Sequence, residues 1–369
     1  MMGDAIAAIV FGILLLVVWN AASWPRVRRF PASEAGISVL IPARNEERNL
    51  SECLASAAQQ GVSVQEILVY DDHSTDRTAQ VVVEAAKQDP RIRLLRPEPL
   101  PEGWKGKPFA CVQLAKSASC EWLLFLDADA RLEPYAVPQM VFAAERTGAS
   151  LVSFWPGLVL ETAVEQWLMP MLNFVVFTLY PAPIGFRYMW PSLGLAHGAC
   201  MLFRADTYHR LGGHGLVAQE LFEDTVLARK WREQGERSLC FDGQDVVRVR
   251  MYTSLAEIWS GFWKNFYPAF RTETGFWLFL LFHAVAFLLP FAWAAGSVAS
   301  GRPCAWAIAA SAAVLAMRLI QCGRFRYPVW SALLHPTAEI VLLALGVSSW
   351  ASVRSGRGVE WKGRRYGVS

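Results

Sequence analysis

Ile37-Ser-Val-Leu-Ile-Pro-Ala-Arg-Asn-Glu-Glu47 begins apolar, stops at a proline and turns polar. Such a run reads as a strand buried on both faces, followed by a turn into a helix. The pattern then repeats along the chain. Leu50, Cys53, Leu54 and Ala57 fall at helical spacing within 46–60, and Glu66-Ile-Leu-Val-Tyr70 is a second buried strand ending at Asp71. A second helix is expected over 78–87, a third strand over 91–95, a third helix over 108–117 and a fourth strand over 122–126. Strands alternating with helices of about ten residues predict an α/β domain, a Rossmann-like, mostly parallel sheet with helices on both faces. Ligands bind beyond the carboxyl ends of such strands. Arg44-Asn45-Glu46, Asp71-Asp72 and Asp127-Ala128-Asp129 all fall there.

Outside this region the composition changes. The chain of 369 residues is 54% hydrophobic and 18% charged, with 16 Trp and 21 Phe. A soluble domain is about 25% charged, so part of the chain is expected in lipid. Residues 5–22 carry no charge and have the length of a bilayer span. Arg26, Arg28 and Arg29 follow that stretch, which argues against a cleaved signal peptide and puts the next segment in the cytoplasm. Three further apolar stretches, 276–298, 305–320 and 329–351, precede a basic tail over 354–369. One N-terminal and three full C-terminal spans would leave that tail outside, against its charge. The last stretch is expected to be re-entrant or interfacial, because His335-Pro336 breaks it and Glu339 is costly in lipid.

The expected domains are therefore an N-terminal helix (1–24), a cytoplasmic catalytic domain (37–255), an interfacial segment (256–273) and C-terminal spans (274–353). Within the catalytic domain, residues 164–190 hold seven aromatics and three prolines. They read as an interfacial aromatic belt, or else as a buried hairpin of the domain. The seven cysteines are widely spaced with no CxxC, so neither zinc nor a disulfide framework is indicated. The net charge is +3, and the basic residues cluster at membrane flanks, where anionic lipid explains them; nucleic acid is not an expected partner.

Three acidic motifs carry the chemistry. Asp127 and Asp129 end a strand two residues apart and can share one hard cation, Mg²⁺ or Mn²⁺, with diphosphate oxygens. Asp72, with Asp71, is placed to hold a nucleoside, although Ser74 or Thr75 there could equally cap a helix. Pro42, Arg44 and Glu46 point to the same ligand, with Asn45 as the expected helix cap. Lys107, in Gly103-Trp-Lys-Gly-Lys107, is a point charge for phosphate or part of a solvated loop. Glu223-Asp224 opens a helix; one of the two carboxylates can act as general base toward an acceptor hydroxyl. A P-loop of the GxxxxGK[ST] type does not occur. A membrane carrier or regulatory protein with a nucleotide-sugar-sensing domain is the alternative, and such a sensor would not need the third motif.

Taken in order, Ala43-Arg-Asn-Glu-Glu47, Asp71-Asp-His-Ser-Thr-Asp76, Asp127-Ala-Asp129 and Glu223-Asp224 resemble the motifs of family 2 glycosyltransferases of the GT-A fold. Gly103–Lys107, Arg250-Met-Tyr252, Gly261-Phe-Trp-Lys264, His335-Pro336 and Val359–Tyr366 are similar to a membrane-bound, lipid-glycosylating subgroup. The nearest resemblance is to the carotenoid-pathway diaponeurosporenoate glycosyltransferases; ceramide glucosyltransferases and hopanoid-associated glycosyltransferases are more distant. The resemblance implies an inverting transfer from a uridine-diphosphate sugar to a lipid, with a divalent metal. It implies the base role for Asp224, the metal role for Asp129, and metal or ribose contact for Asp127. Ile258-Trp-Ser-Gly-Phe-Trp-Lys264 stands where processive members carry Gln-x-x-Arg-Trp, which favours a single transfer. His197, Gly198 and Trp263 are candidate acceptor-site residues, with a packed His197 as the competing reading. Trp361, Lys362 and Arg364 are read as covering the diphosphate or as a membrane anchor. Oligomeric state is not legible.

Overall fold

The computed structural model describes residues 2–27, 33, 35–355, 359–361 and 364–366. Arg28, Arg29 and Lys362, and the side chains of Trp361 and Arg364, lie outside the described residues. The chain divides into two units. One comprises 25–159 and 184–251, the other 1–24, 160–183 and 252–369. The expected contiguous domain over 37–255 is thus interrupted, because 160–183 packs with the apolar helices.

The first unit is built on a seven-stranded sheet. Its strands are β1 (Ile37–Ala43), β2 (Val64–Asp71), β3 (Ile92–Leu95), β4 (Trp122–Leu126), β5 (Leu151–Trp155), β6 (Cys200–Arg204) and β7 (Ser238–Asp242). The spatial order is β3-β2-β1-β4-β6-β5-β7. β1 pairs parallel with β2 and β4, and β2 with β3, while β6 runs antiparallel to both β4 and β5. Successive residues go to opposite faces, and both faces are covered. Val39, Ile41, Ile67, Val69, Leu124 and Leu126 meet the helices Leu50–Ala58 and Ala136–Thr147 on one side. Leu40, Leu68, Tyr70, Leu123 and Phe125 meet Gly106–Ser117 and Glu223–Glu233 on the other. A three-stranded sheet of Ala130–Leu132, Val247–Val249 and Gly157–Leu158 adjoins it.

Two expected helix caps are corrected. Asn45 takes a left-handed backbone (φ 52°), and the following helix starts only at Leu50. The second helix starts at Thr78, after Ser74 and Thr75. Instead of capping, the two turns bind each other. Asn45 N–H donates to Ser74 Oγ (2.9 Å), Thr75 N–H to Asn45 Oδ1 (2.8 Å), and Glu47 N–H to Asp76 Oδ2 (3.1 Å). Parallel register puts the ends of β1 and β2 side by side, with Pro42 opposite Tyr70, so each turn is the other's nearest polar partner.

Among the described residues, the second unit contains four helices long and apolar enough to cross a membrane: Met2–Ser23, Glu273–Ala299, Ala305–Phe325 and His335–Arg354. Ala305–Phe325 exceeds the short span expected, because Arg318 and Gln321 turn inward and are buried. Within this unit the helix directions follow from contacts at several levels. Glu273 accepts from Trp350 Nε1 (2.8 Å) and Arg354 (3.0 Å), His283 bonds Glu339 (2.8 Å), and Phe287 and Phe291 pack on His335. Helices 273–299 and 335–354 are therefore antiparallel. Trp293 meets Trp306, so 305–325 is antiparallel to 273–299 as well. Gly3 lies against Trp306 and the Trp24 carbonyl accepts from Arg324, so 305–325 runs parallel to the first helix. The last two helices thus point the same way, and residues 326–334 carry the chain back between them. Glu339 is tolerated because its partner His283 is equally inaccessible, both at 0%.

The aromatic segment is split rather than continuous. Phe174 and Phe177, on Pro170–Leu179, are fully buried in the second unit, and Asn20 Nδ2 donates to the Phe177 carbonyl (3.0 Å). Tyr188 and Trp190 belong to the first unit, where they stack at 5.2 Å and are exposed. Buried Arg232 holds that stretch by donating to the carbonyls of Gly185 (2.9 Å), Trp190 (3.1 Å) and Tyr188 (3.3 Å). A hydrophobic aromatic count does not distinguish core packing from an interfacial belt, and here it is partly core.

Candidate active site

The carboxyl ends of β1, β2 and β4 lie at one edge of the sheet, and each delivers one motif. After β4, buried Ala128 enters the core while Asp127 and Asp129, one residue to either side, are partly accessible. The Asp127 N–H donates to the Ala199 carbonyl (3.0 Å). That bond ties the second acidic motif to the segment just before β6.

The same segment captures the third motif. Gly198 N–H donates to Asp224 Oδ2 (2.7 Å), Thr225 N–H donates to Asp224 Oδ1 (2.6 Å), and Thr225 Oγ1 donates to the Ala196 carbonyl (3.0 Å). Residues 196–199 therefore join Asp127 on one side to Asp224 on the other. Gly198 cannot be larger without disturbance: a Cβ there would lie 3.1 Å from Lys107 Nζ and 3.4 Å from Asp224 Oδ2. His197 next to it is a packed residue. Its backbone exchanges hydrogen bonds with Ser153 Oγ, its ring sits edge-on to Trp155, and Nδ1 accepts from Ala199 N–H (3.2 Å). Burial, with Lys107 nearby, pushes its pKa down to about 3, so the ring is neutral.

Lys107 is the centre of the arrangement. Its Nζ lies 2.8 Å from Asp127 Oδ1 and 3.0 Å from Oδ2, and 3.1 Å from Glu223 Oε1. It is the second residue of the helix Gly106–Ser117, whose start is fixed by a bond from Lys105 N–H to the Ala218 carbonyl (2.7 Å). Burial opposes its charge, but Asp127 and Glu223 prevail and hold its pKa well above the usual lysine value. Asp224 shows the opposite balance. Burial and then the Glu223 charge raise its pKa to about 7, against the lowering effect of its two N–H donors and Lys107.

The first motif shapes its own turn. Arg44 donates to the carbonyls of Asp72 and His73, so its guanidinium braces the two loops. Asp71 Oδ1 accepts from Ser74 N–H (3.1 Å), and Glu46 accepts from Asn49 Nδ2 (3.0 Å) at the start of the next helix. Asp72 is buried, with His73 Nδ1 3.4 Å from its Oδ1. Trp263 lies in the other unit, on Leu255–Phe266, where its carbonyl accepts from Ser349 Oγ (2.6 Å).

The sequence reading missed the two-sided grip of Lys107 and the joining role of Gly198. Neither has a local signal, since each depends on residues about twenty or more positions away. It also missed His214, which is buried against Phe125 and bonded to Tyr208 Oη (2.8 Å) beneath the site.

No group of three or more His, Cys, Asp or Glu side chains is placed to hold a metal among the described residues. Asp127 and Asp129 offer only oxygen donors, which suits a hard cation that keeps water and phosphate as its remaining ligands. A cation already rests on Asp127, the Lys107 ammonium, so the carboxylate is oriented toward positive charge. The residues fit a divalent ion carried with a diphosphate.

The chain and its fold are similar to known proteins. Residues 38–212 match the model of glycosyl transferase family 2. The 4,4'-diaponeurosporenoate glycosyltransferase of Staphylococcus haemolyticus is 30% identical over 220 residues, 58% of this chain and 56% of that protein. The match therefore spans just over half of that relative's length. The Staphylococcus aureus protein of the same name is 24% identical, over 96% of this chain and 94% of its own. Among solved structures, a mannosyltransferase from Pyrobaculum calidifontis in complex with GDP-mannose and Mn²⁺ aligns with a TM-score of 0.54 at 19% identity, covering 95% of this chain and 97% of that one. The fold is GT-A. Residues 38–212 are similar to the catalytic domain of family 2 glycosyltransferases.

Proposed function

We propose that this protein is an inverting membrane glycosyltransferase that moves one hexose from a nucleotide-diphosphate sugar, a UDP-sugar, to a hydroxyl-bearing lipid. The observation that carries the reading is Asp224, a largely enclosed but partly accessible carboxylate with its pKa raised to about 7 and both oxygens held by backbone N–H groups. A base whose pKa lies near the working pH is suited to take a proton from an attacking hydroxyl. Gly198 and Thr225 hold the carboxylate in one orientation while it does so. Asp72 would hold the nucleoside, with the paired loops around Arg44 and Asn45 forming the floor beneath it. Lys107 would meet the diphosphate. Asp127 and Asp129 would hold a divalent cation, whose Lewis acidity neutralises charge on the departing diphosphate.

The membrane part of the proposal rests on the four long apolar helices. The catalytic unit and the tail are placed in the cytoplasm. The parallel course of the last two helices supports this, because it brings Arg354, at the end of the last helix, to the side where the first helix ends. A carotenoid carboxylate is the second reading of the acceptor, favoured by the names of the staphylococcal relatives. An ionised carboxylate needs no base.

The test is incubation of membranes containing the protein with a panel of radiolabelled nucleotide sugars, with Mg²⁺, Mn²⁺ or a chelator, followed by lipid extraction. Metal-dependent label in the lipid phase, stable to mild alkali as an acetal-linked glycoside, is the expected result. Alkali-labile label marks a glycosyl ester and the second reading. Label confined to the aqueous phase for every donor refutes lipid glycosylation.

A further inference from the structure

Lys107 is oriented toward both acids more tightly than a waiting phosphate ligand needs to be. Its ammonium has three protons. Asp127 and Glu223 take contacts at 2.8 and 3.1 Å, and a side chain on Gly198 would begin only 3.1 Å from it. The loop behind it is anchored by Lys105 to the Ala218 carbonyl and by Trp104 edge-on to Phe109. The lysine thus bridges the second and third acidic motifs, and it does so on a carboxylate that the metal would need.

We infer that Lys107 is a latch that denies Asp127 to a bare divalent cation and releases it only to a cation arriving with a diphosphate. The inference rests on the nucleotide-sugar reading above and extends it to the order of binding. A hydrated cation approaching alone must displace an ammonium already paired with Asp127, and it meets that positive charge at contact distance. A diphosphate changes the balance, because its oxygens offer the ammonium a replacement partner of the same kind. Lys107 then moves from Asp127 to phosphate, and Asp127 turns to the metal. Glu223 keeps the lysine near the site during the exchange. Metal and nucleotide therefore bind with positive coupling, and by linkage each tightens the other by the same factor. This arrangement also keeps free metal from organising the site for attack by water when no donor is present.

The test measures Mn²⁺ binding by electron paramagnetic resonance to the purified full-length chain, without and with UDP or GDP, in wild type, Lys107→Met and Lys107→Arg. Wild type should bind Mn²⁺ weakly alone and at least about tenfold more tightly with a nucleoside diphosphate. Lys107→Met should bind Mn²⁺ alone at least about tenfold more tightly than wild type, and the coupling should shrink toward one. Lys107→Arg keeps the charge and should keep the weak metal-only binding, which separates the latch from a folding defect. Metal-only affinity that is unchanged or weaker in Lys107→Met overturns the latch, even where nucleotide affinity falls. Absence of Mn²⁺ binding in all three proteins, with either nucleotide, overturns the metal reading and the latch with it.

Discussion

Replacing Glu223 with Gln should move the pH dependence of transfer toward acid. Burial is the largest cause of the raised Asp224 pKa and the Glu223 charge is the second. Only the second is removed by the substitution. For neighbouring residues on one helical turn, two charges roughly 6 Å apart at an effective dielectric near 20 interact by about 3 kcal/mol, equivalent to about two pKa units. Asp224 is partly accessible, so solvent screening reduces this to about one unit. The base must be ionised to act, and its pKa lies above the usual carboxylate value. Activity in the wild type should therefore be full above pH 8 and fall as pH drops through about 7. In Glu223→Gln the same limb should appear near pH 6. Releasing Lys107 from one partner works in the same direction, since its positive charge lowers the Asp224 pKa. The assay is kcat/KM at saturating metal from pH 5 to 9, because that ratio reports groups of the free enzyme. A limb that stays at its wild-type pH, or moves up, refutes the electrostatic account. In parallel, Asp224→Asn should lower kcat by about 10²- to 10⁴-fold, and full turnover would eliminate the base role.

Three other experiments test the framework. Gly198→Ala places a methyl against Lys107 Nζ and Asp224 Oδ2; kcat/KM should fall about 10- to 100-fold, with the thermal unfolding temperature within a few degrees of wild type. Breaking the buried pair by Glu339→Ala should cost about 3–5 kcal/mol, read as a lowered unfolding temperature in detergent. Replacing both partners, His283→Leu with Glu339→Leu, should recover most of that loss; equal destabilisation by the double variant would refute the pairing as its cause. A cysteine at Ser355 should react with a membrane-impermeant thiol reagent from the same side as one at Ser23, and labelling from opposite faces would refute the parallel course of the last two helices.

The pieces of this protein that were legible in the sequence are those encoded by neighbours. Val39 and Ile41 alternate with Leu40 across a buried strand, and a helix must follow where Leu50, Cys53 and Leu54 line up. Hydrophobic periodicity is local, so strands, helices and the three acidic motifs at their ends could be read directly. The capping assignments failed for Asn45, Ser74 and Thr75 because a turn residue chooses between its own helix and a partner turn, and that partner lies about thirty positions away. The long apolar stretches were legible by length, but what faces Arg318 and Glu339 inside them was not. Their cost depends on who faces them, and His283 is 56 positions from Glu339.

Sequence alone thus determined that a parallel α/β sheet would bring acids to one edge, and that apolar helices would flank it. Only the tertiary structure decided which partners each acid meets. The antiparallel insertion of β6 between β4 and β5 brings Gly198 between Asp127 and Asp224, and Lys107 reaches across to join Asp127 with Glu223. Ionisation depends on burial and on charges within a few ångströms, and these distances exist only once segments far apart in the chain have packed together.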